Sequence, residues 1–83
     1  MAEPLGSLER LRRIMAILAE EGIAGYLPRQ YGVTLEREAE VIEIVRSSPT
    51  GKQDLPSYML GVAPGASREN IERAARRIIE EIP

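Results

Sequence analysis

The stretch SRENIERAARRIIEEI, residues 67–82, decides the fold class. Its apolar residues recur every three or four positions, which is the period of an amphipathic α-helix. Ser67 stands directly before this pattern and is a candidate N-cap. The predicted buried face consists of Ile71, Ala74, Ala75, Ile78, Ile79 and Ile82. The two alanines on it are small enough to let another helix approach closely.

The opposite face of this helix is charged, with both signs interleaved. Its residues are Glu69, Glu72, Arg73, Arg76, Arg77, Glu80 and Glu81. Because residues four apart are neighbours on a helix, we expect Arg76 to form ion pairs with Glu72 and Glu80. Each such pair is worth about 0.2–0.5 kcal/mol.

A second amphipathic pattern predicts a helix from Ser7 to about Glu21. Ser7 is its candidate cap, and Gly22 follows at the position where left-handed residues end helices. Ile17 falls on the charged side of this helix, opposite its apolar arc. The arc consists of Leu8, Leu11, Ile14, Met15, Leu18 and Ala19. Residues 1–6 are predicted to be a flexible lead-in.

Proline and glycine divide the middle of the chain into short helical pieces. Residues 23–30 are predicted to be a connector, and Thr34 is a candidate cap for a helix over 35–47. The β-branched run 41–45 could also form a strand. The surrounding glutamates and Ala39 favour the helix.

The remaining segments complete the predicted fold. Residues 47–51 indicate a loop, 53–60 a short helix with Pro56 in its first turn, and 61–65 a second turn. The connector side chains expected to pack on the core are those of Tyr26, Leu27 and Tyr31. We therefore expect one all-α domain over residues 1–83. It is a small orthogonal bundle of four to five helices, built around the first and last helices.

The composition excludes several classes of site. The chain has 83 residues without Cys or His, which excludes a Ser-His-Asp triad, a thiol nucleophile, a thiolate or imidazole zinc site and a disulfide. Gly51-Lys52 lacks the other residues of a phosphate-binding loop, and Asp54 is the only aspartate, which excludes an EF-hand. A chain this short can hardly build a cleft that perturbs paired carboxylates. We expect no enzyme, no cofactor and no metal.

The sequence also bears on location. No run approaches the ~20 apolar residues of a membrane span. The first four residues lack the basic start and apolar stretch of a secretory signal. The absence of cysteine fits the cytoplasm. We expect a cytoplasmic protein that makes no contact with a membrane.

Two surfaces of opposite sign are predicted on this small domain. The helix over 35–47 carries an acidic stripe of Glu36, Glu40 and Glu43, for which a solvated face is a better interpretation than a carboxylate metal site. The complementary arginines are Arg10 and Arg13 on the first helix and Arg73, Arg76 and Arg77 on the last. Such faces favour docking to a protein partner or to a second copy. The predicted function is protein–protein interaction, either self-association or adaptor docking.

Two isoleucines lie off the buried faces of their own helices. Ile17 and Ile44 are therefore candidates for a seam with a partner. In the alternative interpretation, Ile17 lies under the connector and Ile44 under a loop.

The arginines also allow a second function, nucleic-acid binding. If the first and last helices are neighbours, their arginines could form one basic patch that contacts phosphates. Glutamates interleave with the last cluster, however, and three tyrosines are the only residues for base stacking. The formal net charge of −2 also argues against a dedicated DNA-binding domain. Nucleic-acid binding is the alternative function.

A Leu-Gly-Val segment and a Gly-Ala-Ser turn precede the last helix, at Leu60-Gly61-Val62 and Gly65-Ala66-Ser67, and Ile71, Ala74 and Arg76 follow. Over residues 58–82 the chain resembles the start of a J-domain. That family's His-Pro-Asp motif and third helix do not occur within the 83 residues. The resemblance therefore does not imply stimulation of a chaperone ATPase.

A wider set of residues resembles a sterile alpha motif (SAM) domain. Those matching its last two helices are Asp54-Leu55, Leu60-Gly61-Val62, Arg68, Ile71, Ala74 and Ile78, and those matching its first helix and turn are Leu18, Gly22-Ile23 and Tyr26. The segment between Tyr26 and Asp54 is several residues longer than in that family, and the usual Trp is absent. The resemblance implies a compact five-helix bundle that associates head to tail. Death-fold modules, which are six-helix bundles, have a similar hydrophobic pattern.

Overall fold

The computed structural model describes residues 7–27 and 34–82, and it is helical in each predicted segment. The elements are α1 (Ser7–Glu20), a 3-10 turn (Ala24–Tyr26), α2 (Leu35–Ser47), α3 (Gly51–Val62) and α4 (Arg68–Glu81). These described ranges contain no strand, so the predicted all-α bundle is confirmed. The radius of gyration of 12.0 Å is that of a compact chain of this length. An orthogonal arrangement of the helices stays a prediction.

The last helix, α4, forms as its sequence pattern indicates. The Ser67 side chain caps it by accepting a hydrogen bond from the Asn70 backbone N–H, with 3.4 Å between the heavy atoms. Its predicted apolar face is buried apart from Ile79, which is half-buried.

The ion pairs predicted for Arg76 are wrong, because within the described residues this side chain pairs with neither glutamate. Glu72 lies 3.4 Å from the guanidinium of Arg68 instead. Glu80 has no cationic partner in these ranges.

The first helix, α1, ends where predicted, since Gly22 adopts a left-handed φ of 75°. Its buried face is rotated toward Ile17, which is 2% exposed and part of the core, whereas Leu8 is 53% exposed. The physical reason is that α1 packs against both α2 and α4, so its buried face follows two neighbours rather than one apolar arc. The capping role predicted for the Ser7 side chain, like the lead-in over 1–6, lies outside the described residues.

The described part of the connector contributes two core residues, Ile23 and Leu27. Leu27 is buried, as predicted, but Tyr26 is more than half exposed and its expected core position is wrong. The ring of Tyr26 lies over Gly65 in the turn between α3 and α4, where a Cβ would approach it to 3.0 Å. Tyr31 lies outside the described residues.

Helix α2 has the predicted bounds. The Thr34 hydroxyl oxygen accepts a hydrogen bond from the Arg37 backbone N–H at 3.1 Å, which satisfies one of the free donors of the first turn. The run 41–45 is helical throughout, so the strand alternative is wrong. Ala39 and Ile42 are buried, and Ile44 is 68% exposed.

Helix α3 begins two residues earlier and ends two residues later than predicted. Pro56 therefore lies inside the helix rather than in its first turn. Because proline has no backbone N–H, it cannot donate the helical hydrogen bond to the Lys52 carbonyl. Gly51 starts the helix because its backbone passes close to the end of α2. A Cβ at Gly51 would collide with the carbonyl oxygens of Val45 and Arg46.

The core lies between helices that pack in chain order. Each helix contacts the next, and α1 also contacts α4, as predicted, although its contact with α2 is the more extensive. The largest fully buried side chains come from every helix: Ile14, Leu18, Ile23, Ile42, Leu55, Met59, Ile71, Ile78 and Ile82. No helix of the described ranges is long and apolar enough to cross a membrane.

Candidate functional site

Two of the predicted partner-binding arginines are used inside the molecule. Arg73 Nε lies 2.6 Å from Glu21 Oε1, and Arg77 Nη1 lies 3.0 Å from Glu21 Oε2. Arg77 also pairs with Glu20 at 2.9 Å and with Glu81 at 2.8 Å. These contacts join the end of α1 to α4, so neither guanidinium is free for a partner's carboxylate.

The electrostatics of this cluster follow from its position. Glu21 comes just after the C-terminus of α1, where the helix dipole disfavours a negative charge. Hydrogen bonds from Arg73 and Arg77 outweigh that effect and burial, and they hold the pKa of Glu21 below its ordinary value. The hydrogen bond to Glu21 raises the pKa of Arg73, and hydrogen bonds to Glu81, Glu20 and Glu21, in that order, raise the pKa of Arg77. The cluster is therefore a structural link between two helices.

A second predicted pair of surfaces is also joined internally. Arg10 on α1 donates to Glu43 on α2 at 2.9 Å, and both side chains are about four-fifths buried. Arg46 donates to the same carboxylate at 2.8 Å and to the Ile82 carbonyl at 3.2 Å. Arg10 and Glu43 thus hold α1 against α2, and Arg46 holds the end of α4. Arg46 is not among the predicted site residues, although its three-residue spacing from Glu43 indicates an ion pair on one helix face.

A hydrogen bond between buried Glu38 and half-buried Tyr58 was not predicted from the sequence. Glu38 is 8% exposed and accepts a hydrogen bond from the Tyr58 hydroxyl at 3.1 Å, which joins α2 to α3. Burial, followed by the charge of Glu38, raises the pKa of Tyr58 to about 12. Glu38 lies three residues after Leu35 and four before Ile42, which places it on the core face of α2. This spacing is the sequence signal from which the burial of Glu38 could have been predicted.

The outer face of α2 remains open. Ile44 is exposed, and Glu36 has no ion pair within residues 7–27 and 34–82. Glu40 pairs with its own neighbour Arg37 at 2.9 Å. The predicted acidic stripe is therefore divided, because Glu36 and Glu40 face outward while Glu43 faces α1.

A groove between α3 and α4 contains two further cationic side chains, Lys52 and Arg76. It holds about 280 Å³ and is lined by Lys52, Pro56, Glu72, Arg76, Ile79 and Glu80. In the part of the chain that the structure describes, neither Lys52 nor Arg76 forms an ion pair. Pro56 and the half-buried Ile79 give the groove an apolar floor.

The remaining predicted site residues are Arg13, Ile17 and Ile44, and they lie in different environments. Arg13 is exposed on α1 and forms no ion pair with another described residue, although its charge helps to lower the pKa of Glu81. Ile17 is a core residue, so the seam interpretation is wrong for it. Ile44 is exposed and stays a seam candidate. The described ranges contain no group of three or more acidic side chains that could hold a metal ion.

No family model, curated protein or solved structure matches this chain. The resemblances to SAM, death-fold and J-domain families therefore stay predictions.

Proposed function

We propose that this chain is a cytoplasmic protein–protein interaction module whose contact surface is the groove between α3 and α4. The observation that carries this proposal is that Arg76 and Lys52, which form no ion pair with any described residue, flank the apolar floor of Pro56 and Ile79. Most other arginines of the bundle pair with a carboxylate of their own chain. The groove thus combines apolar area with unpaired charge, which favours recognition of a partner rather than catalysis.

The chemistry of the groove defines its partner. Arg76 and Ile79 lie one helical turn apart on the rim and floor of the groove. A partner helix that presents a carboxylate and an apolar side chain one turn apart satisfies both at once. Glu72 and Glu80 border the groove. Their negative charges repel a partner segment that places further carboxylates beside them.

Site-specific photo-crosslinking in cells that express the chain tests this proposal. A photoreactive residue at Glu80, on the rim of the groove, is expected to crosslink to a defined protein. The same residue at Glu69, which is exposed on α4 but does not line the groove, serves as the control. The crosslinked protein is then purified, and its affinity is measured for the parent chain and for Arg76→Glu.

The expected result is selective crosslinking from Glu80 and an affinity at least about tenfold weaker for Arg76→Glu, since the substitution places like charges together. An Arg12→Glu variant makes the same charge change on α1, outside the groove, and is expected to bind normally. Equal crosslinking from both positions, or equal binding by Arg76→Glu, would contradict the proposal.

A further inference from the structure

The outer face of α2 and the rim of the α3–α4 groove carry matching rows of side chains. The α2 row consists of Arg37, Glu40 and Ile44, and the α4 row consists of Glu72, Arg76 and Ile79. Each row extends over eight residues, and its ends are about 10 Å apart along the helix axis. At 100° per residue, each lies within a narrow stripe of its helix.

The charges of the two rows are opposite at each of the first two positions, and both rows end in an isoleucine. Read from its N-terminal end, the α2 row is positive, negative, apolar, and the α4 row is negative, positive, apolar. Laying one row beside the other in parallel places Arg37 against Glu72 and Glu40 against Arg76. The same placement puts Ile44 against Ile79.

The α2 row is accessible for such a contact. Ile44 is 68% exposed, more than any other large apolar side chain that the structure describes. The side chains of Arg37 and Glu40 are 67% and 43% exposed, and among residues 7–27 and 34–82 their ion pair is with each other. An exposed pair of this kind contributes little to folding, so it can exchange or share its partners at little cost.

We propose that the occupant of the α3–α4 groove is a second copy of this chain, which inserts its α2 row. This inference rests on the proposed function, because it names the partner of that groove. Each copy carries both rows, so the contact is heterologous, and successive copies form a ring or an open chain. The contact area is that of two short helical rows, so the association is weak and weakens with salt.

Two substitutions each disrupt one side of the contact, the groove of one copy or the α2 row of the other. Arg76→Glu reverses the central charge of the groove, and Ile44→Glu places a charge at the apolar end of the α2 row. Both side chains are exposed, so both variants are expected to retain the helical circular dichroism of the parent. The Arg12→Glu variant on α1 is the control for a change of charge alone.

Sedimentation velocity over a wide range of protein concentration, at low and high salt, is the measurement. The parent and Arg12→Glu are expected to gain mass with concentration at low salt and to lose it at high salt. Arg76→Glu and Ile44→Glu are each expected to associate at least about tenfold more weakly. An equimolar mixture of the two is expected to form a 1:1 dimer and nothing larger, because one intact contact remains.

Three outcomes overturn the inference: a parent chain that stays monomeric at low salt, an Ile44→Glu variant that associates like the parent, or a mixture that stays monomeric. None of them alone overturns the proposed function. A monomeric parent that still crosslinks to another protein through Glu80 keeps the groove as a docking site and removes only the second copy. Loss of the crosslink from Glu80 would overturn the proposed function, because the groove would then not be a docking site.

Discussion

At the scale of single residues, Glu21 has the most consequential environment in the bundle. It accepts hydrogen bonds from two arginines of α4, and its side chain is 13% exposed. Its pKa is lower in the folded chain than its ordinary value of 4.5. A carboxyl whose pKa is lowered by folding stabilises the fold above its unfolded pKa, and that contribution is lost as pH falls through the folded pKa.

Glu21→Gln is therefore expected to lower the Tm at pH 7, because the neutral amide forms no ion pair with Arg73 or Arg77. The difference in Tm should shrink as pH falls below about 4.5, since the parent carboxyl then becomes protonated as well. Thermal unfolding followed by circular dichroism across this range is the measurement. Glu69→Gln, whose carboxylate is highly exposed and 3.8 Å from Arg73, is the control with little effect at either pH. A difference in Tm that is independent of pH would contradict the assignment.

Tyr58 supplies the second test at this scale. Tyr58→Phe removes the hydrogen bond to Glu38 and leaves a buried carboxylate without that donor. The expected loss is about 1–3 kcal/mol in the free energy of unfolding, measured with urea at pH 7. Tyr26→Phe removes a hydroxyl from an exposed ring and should change stability by less than about 0.5 kcal/mol. Equal stability of the two variants would mean that the Tyr58 hydroxyl contributes nothing.

At the scale of the element, Gly51 shows how packing overrides helix propensity. Replacing a helical glycine with alanine ordinarily stabilises a helix by about 0.5–1 kcal/mol. At Gly51 the added Cβ would collide with backbone carbonyls at the end of α2, which cannot move independently of that helix.

Substitution by alanine is therefore expected to change the Tm in opposite directions at the two glycines of α3. Gly51→Ala is expected to lower the Tm. Gly61→Ala, where a Cβ meets nothing within 4 Å, is expected to raise it. Thermal unfolding of both variants is the measurement, and stabilisation by Gly51→Ala would show that α2 and α3 do not approach as described.

The two isoleucines off the apolar arcs provide a second test of the elements. Ile17→Glu buries a carboxylate in the core, which costs several kcal/mol and is comparable with the whole stability of a small domain. Loss of the helical circular dichroism signal at 25 °C is expected for this variant only. Ile44→Glu lies on an open face and should keep its signal. A folded Ile17→Glu variant would contradict the position of Ile17 in the core.

At the scale of the whole molecule, the distribution of ion pairs bears on both predicted functions, because it sets how much arginine charge is left for a partner. Arg73 and Arg77 are neutralised by carboxylates of the same chain, and Arg10 is held against Glu43. Much of the arginine charge is therefore compensated within the chain, which leaves fewer cations for phosphate contacts and favours the proposed protein interaction over the nucleic-acid alternative.

Nucleic-acid binding can be measured directly by fluorescence anisotropy with a labelled DNA duplex and a labelled single strand. We expect no saturable binding near physiological salt, because most described arginines are paired with carboxylates of the same chain. Tight binding that falls steeply with salt and is lost in Arg76→Glu would reverse this conclusion in favour of the alternative function.

Much of the fold could be predicted because its determinants are local. The caps at Thr34 and Ser67, the left-handed Gly22 and the 3.6-residue period of α4 each act within a few positions of the chain. The bounds of α3 were less well predicted, because Gly51 begins that helix through its fit to α2, which lies outside any local pattern.

Less of the candidate site could be predicted, because charge along a sequence does not show which charges remain unpaired. Of the predicted partner-binding residues, Arg76 and Ile44 are those that the proposals retain as central contacts, with Glu40 beside them. Ile17 became core because α1 has two neighbours, and Glu38 was overlooked because a glutamate on an apolar face was not expected.

The sequence by itself determined that this chain is helical, where its helices lie and that it contains no histidine or cysteine chemistry. Periodicity, capping and composition are sufficient for those conclusions, since they depend on near neighbours or on residue type. Only the tertiary structure decided which charges are free. Arg73 and Glu21 are 52 positions apart and Arg10 and Glu43 are 33 apart, and such pairs form only when the helices pack. What those pairs leave exposed is the groove, on which the proposed function rests, and the outer face of α2, which is the proposed occupant of the groove in a second copy.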